Sequence, residues 1–130
     1  MNGLKKQFIK SFIKLTIVEN KPGVLKIHIA KLSELDKKYK VYDRYITEAF
    51  KLLKGIQSTY IDYMHSTIII NYSEESVTSQ KIMRWIQIIL DVAIDNLDFI
   101  EKHGETNTDY MLKRLEEILQ RKLQILNRSI

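Results

Sequence analysis

The residues in this chain with the most chemical potential are three aspartates, three histidines and a basic amino terminus. Asp91, Asp95 and Asp98 follow one another at steps of four and three, so a continuous helix would carry all three carboxylates on one face. Oxygen ligands in that arrangement suit a hard cation such as iron(II), manganese or calcium. The competing reading is a solvated acidic stripe, because helical carboxylate sites normally recruit His or Glu from other helices. The histidines are His28, His65 and His103, with no spacing that would direct two imidazoles to one ion. There is no cysteine, which removes disulfides, thiolate catalysis and soft thiolate metal sites together. The glycines stand apart at Gly3, Gly23, Gly55 and Gly104 and build no phosphate loop. No Ser, His and acid fall into the spacing of a nucleophile and its base, so the chain is expected not to be an enzyme.

Charge is the second signal. The net charge is +5 and unevenly placed. Lys5, Lys6, Lys10 and Lys14 open the chain with no acid among them, and Lys113, Arg114, Arg121, Lys122 and Arg128 close it against Glu116 and Glu117. Between them, Glu74, Glu75, Asp91, Asp95, Asp98 and Glu101 outnumber Lys81, Arg84 and Lys102. Such asymmetry serves solubility in many proteins and also fits an anionic partner, whether lipid, protein or nucleic acid. Leu4, Phe8 and Phe12 share one helical face, so residues 3 to 13 read as a basic amphipathic helix. Leu4, Lys5, Lys6, Phe8, Lys10 and Phe12 are therefore the candidate membrane- or partner-binding residues.

The elements that would carry these residues follow from periodicity. Leu15 to Val18 can turn extended, Lys21-Pro22-Gly23 is a turn signal, and Val24 to Ala30 alternates as a half-buried strand does. Ser33-x-x-Asp36 has capping-box spacing for a helix whose apolar positions are Tyr39, Tyr42, Ile46, Ala49, Phe50 and Leu53, ending at Gly55. Ser58 to Tyr63 and Thr67 to Tyr72 flank Met64-His65-Ser66 and predict a hairpin. A cap at Ser76, Thr78 or Ser79 opens a helix with Ile82, Trp85 or Ile86, Ile89, Ala93, Leu97 and Ile100 on its apolar stripe, running to His103-Gly104. Thr106-x-x-Asp109 opens a last helix, with Leu112, Leu115, Leu119, Lys122 or Leu123, and Leu126 on one face. That run is too short to argue a coiled coil, so it is expected to dock on the domain.

At 130 residues, 45% hydrophobic and 28% charged, the chain is a single-core soluble protein by composition. The absence of cysteine and of a leader-like segment in Met1 to Ile17 fits the cytoplasm. The longest apolar candidate, Trp85 to Leu97, is cut by Gln87, Asp91, Asp95 and Asn96, so no spanning helix is expected.

Pro22-Gly23-x-Leu25-Lys26-Ile27, a helix ending Leu52-Leu53-x-Gly55-Ile56, then Asp62, a short turn and Ile70-x-Tyr72 together resemble the heavy-metal-associated domain family. The likeness is to its divergent branch without the thiol loop, and it spans roughly residues 21 to 100. It implies an α+β, ferredoxin-like antiparallel sheet with helices on one face, here extended by N- and C-terminal helices. The boundaries are 1–14 for the basic helix, 15–103 for the domain and 105–130 for the C-terminal extension. Where the family places its thiol pair, this chain reads Ala30-Lys31-Leu32-Ser33-Glu34-Leu35-Asp36, and its final strand is missing, a place that Leu15 to Val18 could fill. The resemblance implies a non-enzymatic adaptor without cofactor, serving a metal-transporting P-type ATPase or a metal-homeostasis system, peripherally at a membrane. Two alternatives stay open: a carboxylate-type iron or manganese binder, and a nucleic-acid or protein interaction module. Nucleic acid is disfavoured because the basic-Gly-aromatic signature of RNA-binding sheets is absent. A homodimer through the sheet edge or the 109 to 126 helix is a further expectation.

Overall fold

The computed structural model describes residues 14–30, 32 and 40–129. The expected helix over residues 3 to 13, with Leu4, Lys5, Lys6, Phe8, Lys10 and Phe12, and the Ser33-x-x-Asp36 cap lie outside the described residues.

Strands β1 (Leu15–Lys21) and β2 (Val24–Ile29) form a hairpin. Its turn is made at Pro22 and Gly23, where Gly23 adopts φ 76°. Helix α1 (Lys40–Lys51) follows, then β3 (Ile56–Asp62) and β4 (Thr67–Tyr72), then α2 (Ser79–Asp95), α3 (Leu97–His103) and α4 (Thr108–Ser129). The sheet runs β1-β2-β4-β3, and every neighbouring pair is antiparallel. This is an α+β protein with a four-stranded sheet, as the periodicity predicts, and β1 does supply an edge strand beside β2.

Alternation decides which face of the sheet is buried. Leu25 stands opposite Ile70 and Ile27 opposite Ile68, and these four, with Ile29 and Tyr72, are buried. The helices close over that face. Tyr42, Tyr45, Ile46, Ala49, Phe50 and Leu53 of the α1 region join Ile82, Trp85, Ile86 and Ile89 of α2 in one cluster with the sheet residues. Residues of the other register, such as Lys26, His28, Ile69 and Asn71, are half-buried, and Tyr60 is exposed.

Three hydrogen bonds show how the helical layer is fixed. The Trp85 indole N–H donates to the Ala49 carbonyl at 3.0 Å, and the Tyr45 hydroxyl donates to the Ile89 carbonyl at 2.7 Å. At the start of α2, the Thr78 hydroxyl accepts from the Lys81 N–H at 3.1 Å, which selects one of the three candidate caps.

Two expectations are corrected. The helix predicted to run from a cap at Ser76, Thr78 or Ser79 to His103-Gly104 is broken at Asn96, which leaves helical dihedrals at φ −117°, ψ 24°. Its side-chain amide donates to the Val92 carbonyl at 2.7 Å, and its backbone N–H reaches Val92 and Ala93. A short amide competing for the helix's own acceptors ends the run although the apolar stripe continues past it. The last helix begins at Thr108, not at Thr106: the Asn107 carbonyl accepts from the Met111 N–H at 3.0 Å, and the Thr108 hydroxyl donates back to the Gly104 carbonyl.

Helix α4 docks on the domain. Met111, Leu115, Leu119 and Leu126 are buried in the common core, with Leu112, Ile118 and Leu123 half-buried around them. The apolar face of α4 packs on α1, α2 and α3. Both sheet edges carry a bulge, with Val18 extra on β1 and Gln57 extra on β3. Bulges bend an edge strand and make it a poor template for a second copy.

Candidate functional site

A groove of 380 Å³ opens between α1 and α4. One wall is Arg44, Tyr45, Glu48, Ala49 and Leu52, recurring at the three- and four-residue steps that bring side chains onto one helical face. The other is Asp109, Leu112, Lys113, Glu116 and Leu119 from α4, related in the same way. Buried Tyr45, Ala49 and Leu119 form the floor, half-buried Leu52 and Leu112 flank it, and charged side chains make the rim.

The rim charges are partly committed to one another. Arg44 Nη2 meets Asp109 Oδ1 at 3.0 Å and ties the two walls together, while Glu48 meets Lys51 at 3.5 Å along α1. Both pairs are well exposed, so they position side chains more than they stabilise the fold. On the floor, burial pushes the Tyr45 phenol well above its ordinary range, and its proton is held by the Ile89 carbonyl. A phenol so held neither titrates near neutral pH nor offers its proton to a ligand. The groove thus has apolar side chains below and charges of both signs above.

The aspartates and histidines singled out from sequence are spread over several elements. Asp91 lies within α2 and accepts from Gln87 Nε2 at 3.3 Å, Asp95 is the last residue of α2, and Asp98 lies in the first turn of α3 beyond the Asn96 break. The three carboxylates are therefore divided between two successive helices and do not share one continuous helix. Among the described residues, no group of three His, Cys, Asp or Glu side chains could hold a metal ion. His28 stands on the sheet, and His65 pairs with Asp62 at 2.8 Å in the β3–β4 turn. His103 packs its ring against Phe99 and Tyr110, with centroids 4.9 and 5.5 Å apart.

Sequence reasoning missed the groove. Arg44, Glu48 and Leu52 carry a readable signal, a four-residue step beside the apolar stripe of α1. That this flank faces α4 is a tertiary fact with no local signature. Among the described residues no helix is long and apolar enough to cross a membrane. Compared with known proteins, the chain matches no family model, no curated protein and no solved structure.

Proposed function

We propose that this chain is a non-enzymatic adaptor that binds a partner protein through the groove between α1 and α4. The observation that carries the reading is the groove itself: a floor of Tyr45, Ala49 and Leu119 flanked by Leu52 and Leu112, under a rim whose Arg44 and Asp109 are paired. An apolar patch inside a polar rim is the ordinary anatomy of a protein-binding surface.

The architecture is read as a rearranged ferredoxin-like fold. In support, β2, α1, β3, β4 and α2 follow in the order of a split βαβ unit, with β4 lying between β2 and β3. Strand β1, antiparallel to β2, occupies the edge where the last strand of such a fold would lie. The partner class rests on the resemblance to heavy-metal-associated domains, so a metal-transporting P-type ATPase is the first partner to test. The peripheral-membrane part of the reading rests on Leu4, Phe8 and Phe12 with Lys5, Lys6 and Lys10.

The test is an amide NMR titration of the labelled full chain with the soluble cytosolic domains of such an ATPase. Shifts should cluster on residues 44–52 and 109–119, and Leu112→Arg should weaken binding by about tenfold or more while leaving the circular dichroism unchanged. Shifts elsewhere, or none at concentrations near 1 mM, would overturn the groove as the binding site.

A further inference from the structure

One apolar side chain of α2 is buried without belonging to the core. Ile94 is 5% exposed, and among the described residues it is the one buried hydrophobic side chain outside the common cluster. Leu90, one turn earlier on the same face of α2, is buried within that cluster. Apolar atoms kept from water at Ile94 require a cover of other side chains.

The sheet places the start of β1 beside this turn. Asn20 Nδ2 donates to Ser79 Oγ at 3.5 Å, so the end of β1 lies by the beginning of α2. Strands β1 and β4 both run antiparallel to β2, and α2 leaves the end of β4 to return over the sheet, so α2 runs against β1. From Asn20 back to Lys14 is about 20 Å of strand, and about 20 Å of helix from Ser79 reaches Val92. Lys14 is fixed at that level, its carbonyl accepting from the Ala30 N–H at 3.0 Å, and Leu15 packs on the core there.

Two stretches outside the described residues begin at this end of the sheet, 1–13 before Lys14 and 33–39 after Leu32. The second leads to α1, which packs toward β3 at the opposite edge from β1, and it carries Glu34 and Asp36. Acids are misplaced beside α2 and α3, because from Trp85 to Glu101 the chain holds Asp91, Asp95, Asp98 and Glu101 and no Lys or Arg. Residues 1–13 instead carry Lys5, Lys6 and Lys10 with no acid. Phe12 and Phe8 stand within about 10 Å of helical rise from Leu15.

We propose that residues 3–13 fold back on their own domain, laying Leu4, Phe8 and Phe12 on the Leu90/Ile94 flank of α2 with the lysines toward Asp91, Asp95 and Asp98. The contact makes no use of the groove. It does set a condition on membrane binding: the face that covers Ile94 cannot lie in lipid at the same time, so an anionic surface must compete with α2 for Phe8 and Phe12.

The test is methyl and aromatic NMR on the full chain, with amide hydrogen exchange. Ring protons of Phe8 or Phe12 should show nuclear Overhauser contacts to the Ile94 methyls in the free protein. Phe8→Ser/Phe12→Ser should raise amide exchange over residues 90–95 by about tenfold or more, with the near-ultraviolet circular dichroism of Trp85 unchanged. Lys5→Glu/Lys6→Glu/Lys10→Glu should weaken the contacts, and more so at low salt, where screening is slight. Contacts to Ile94 from Leu35 or Tyr39 in place of the two phenylalanines overturn the proposal, as does exchange over residues 90–95 that the double phenylalanine variant leaves unmoved. If Phe8 and Phe12 give no contact to α2 and become ordered only on adding phosphatidylcholine–phosphatidylserine vesicles, the face belongs to lipid and the proposal falls.

Discussion

The Tyr45 hydroxyl of α1 donates to the Ile89 carbonyl of α2 at 2.7 Å, and Trp85 of α2 returns a bond of 3.0 Å to the Ala49 carbonyl of α1. The two helices are thus latched in both directions beneath α4. Neither acceptor depends on its latch alone: the Ala49 carbonyl also takes the Leu52 N–H at 3.2 Å, and Ile89 sits inside a helix. Removing the Tyr45 hydroxyl therefore orphans no carbonyl, and Tyr45→Phe should lose only about 0.5–1.5 kcal/mol. Trp85→Ala, which empties a fully buried site, should lose about 3–5 kcal/mol. Urea midpoints at unchanged m-value measure both, and equal losses would contradict this division of roles.

The same phenol sets a response to alkali. Burial raises the Tyr45 pKa in the folded state above the value near 10 of an unfolded tyrosine. A raised folded pKa contributes stability that is fully present below about pH 10 and is lost as pH climbs above it. An ultraviolet phenolate titration should leave Tyr45 un-ionised until the protein unfolds, and Tyr45→Phe should reduce that late step by one phenol. A titration in which every tyrosine ionises before unfolding would show that the hydroxyl is open to solvent.

Gly55 is required where α1 gives way to β3. It adopts φ 106°, and a β-carbon there would stand 2.6 Å from Val77 Cγ1 and 3.1 Å from Ser76 Cβ. Its carbonyl accepts from the Ser73 N–H at 2.8 Å, so the backbone cannot simply retreat. Gly55→Ala should destabilise by about 1–3 kcal/mol from the backbone alone, with the overlap added. Adding Val77→Ala should recover part of the overlap and none of the dihedral strain. If the double variant regained full stability, the positive φ would carry no strain.

Much of the architecture was legible because burial leaves a period behind. Leu25, Ile27 and Ile29 alternate and are buried, and Phe50 and Trp85 fall on helical stripes and are buried. Phe50→Ala should accordingly lose about 3–5 kcal/mol in denaturant titration, and a loss under about 1 kcal/mol would place the ring at the surface. What escaped the period was decided by single side chains or by tertiary pairing. Asn96 ends α2 through one amide bond while the apolar stripe runs on to Ile100, so periodicity alone merges two helices. The same merger put Asp91, Asp95 and Asp98 on one continuous helix, which the structure divides between α2 and α3. The groove depends on α1 meeting α4, a pairing that no local pattern in the sequence marks.

The β3–β4 turn provides the remaining electrostatic prediction. Asp62 Oδ2 lies 2.8 Å from His65 Nδ1, and Oδ1 accepts the His65 backbone N–H at 3.2 Å. A carboxylate only accepts, so Nδ1 carries the proton in this pair. The ring hydrogen bond, followed by the backbone one, holds the Asp62 carboxyl below the usual aspartate range. A depressed folded pKa contributes stability that is present above about pH 4, the unfolded aspartate value, and is lost as pH falls through the folded pKa. Carbon-detected NMR of the carboxyl should place its midpoint below that of an ordinary aspartate. His65→Ala removes the larger cause and keeps the backbone donor, so the midpoint should rise without fully reaching the ordinary range. A wild-type midpoint in the ordinary range, or no movement on His65→Ala, would mean that the pair does not persist in solution.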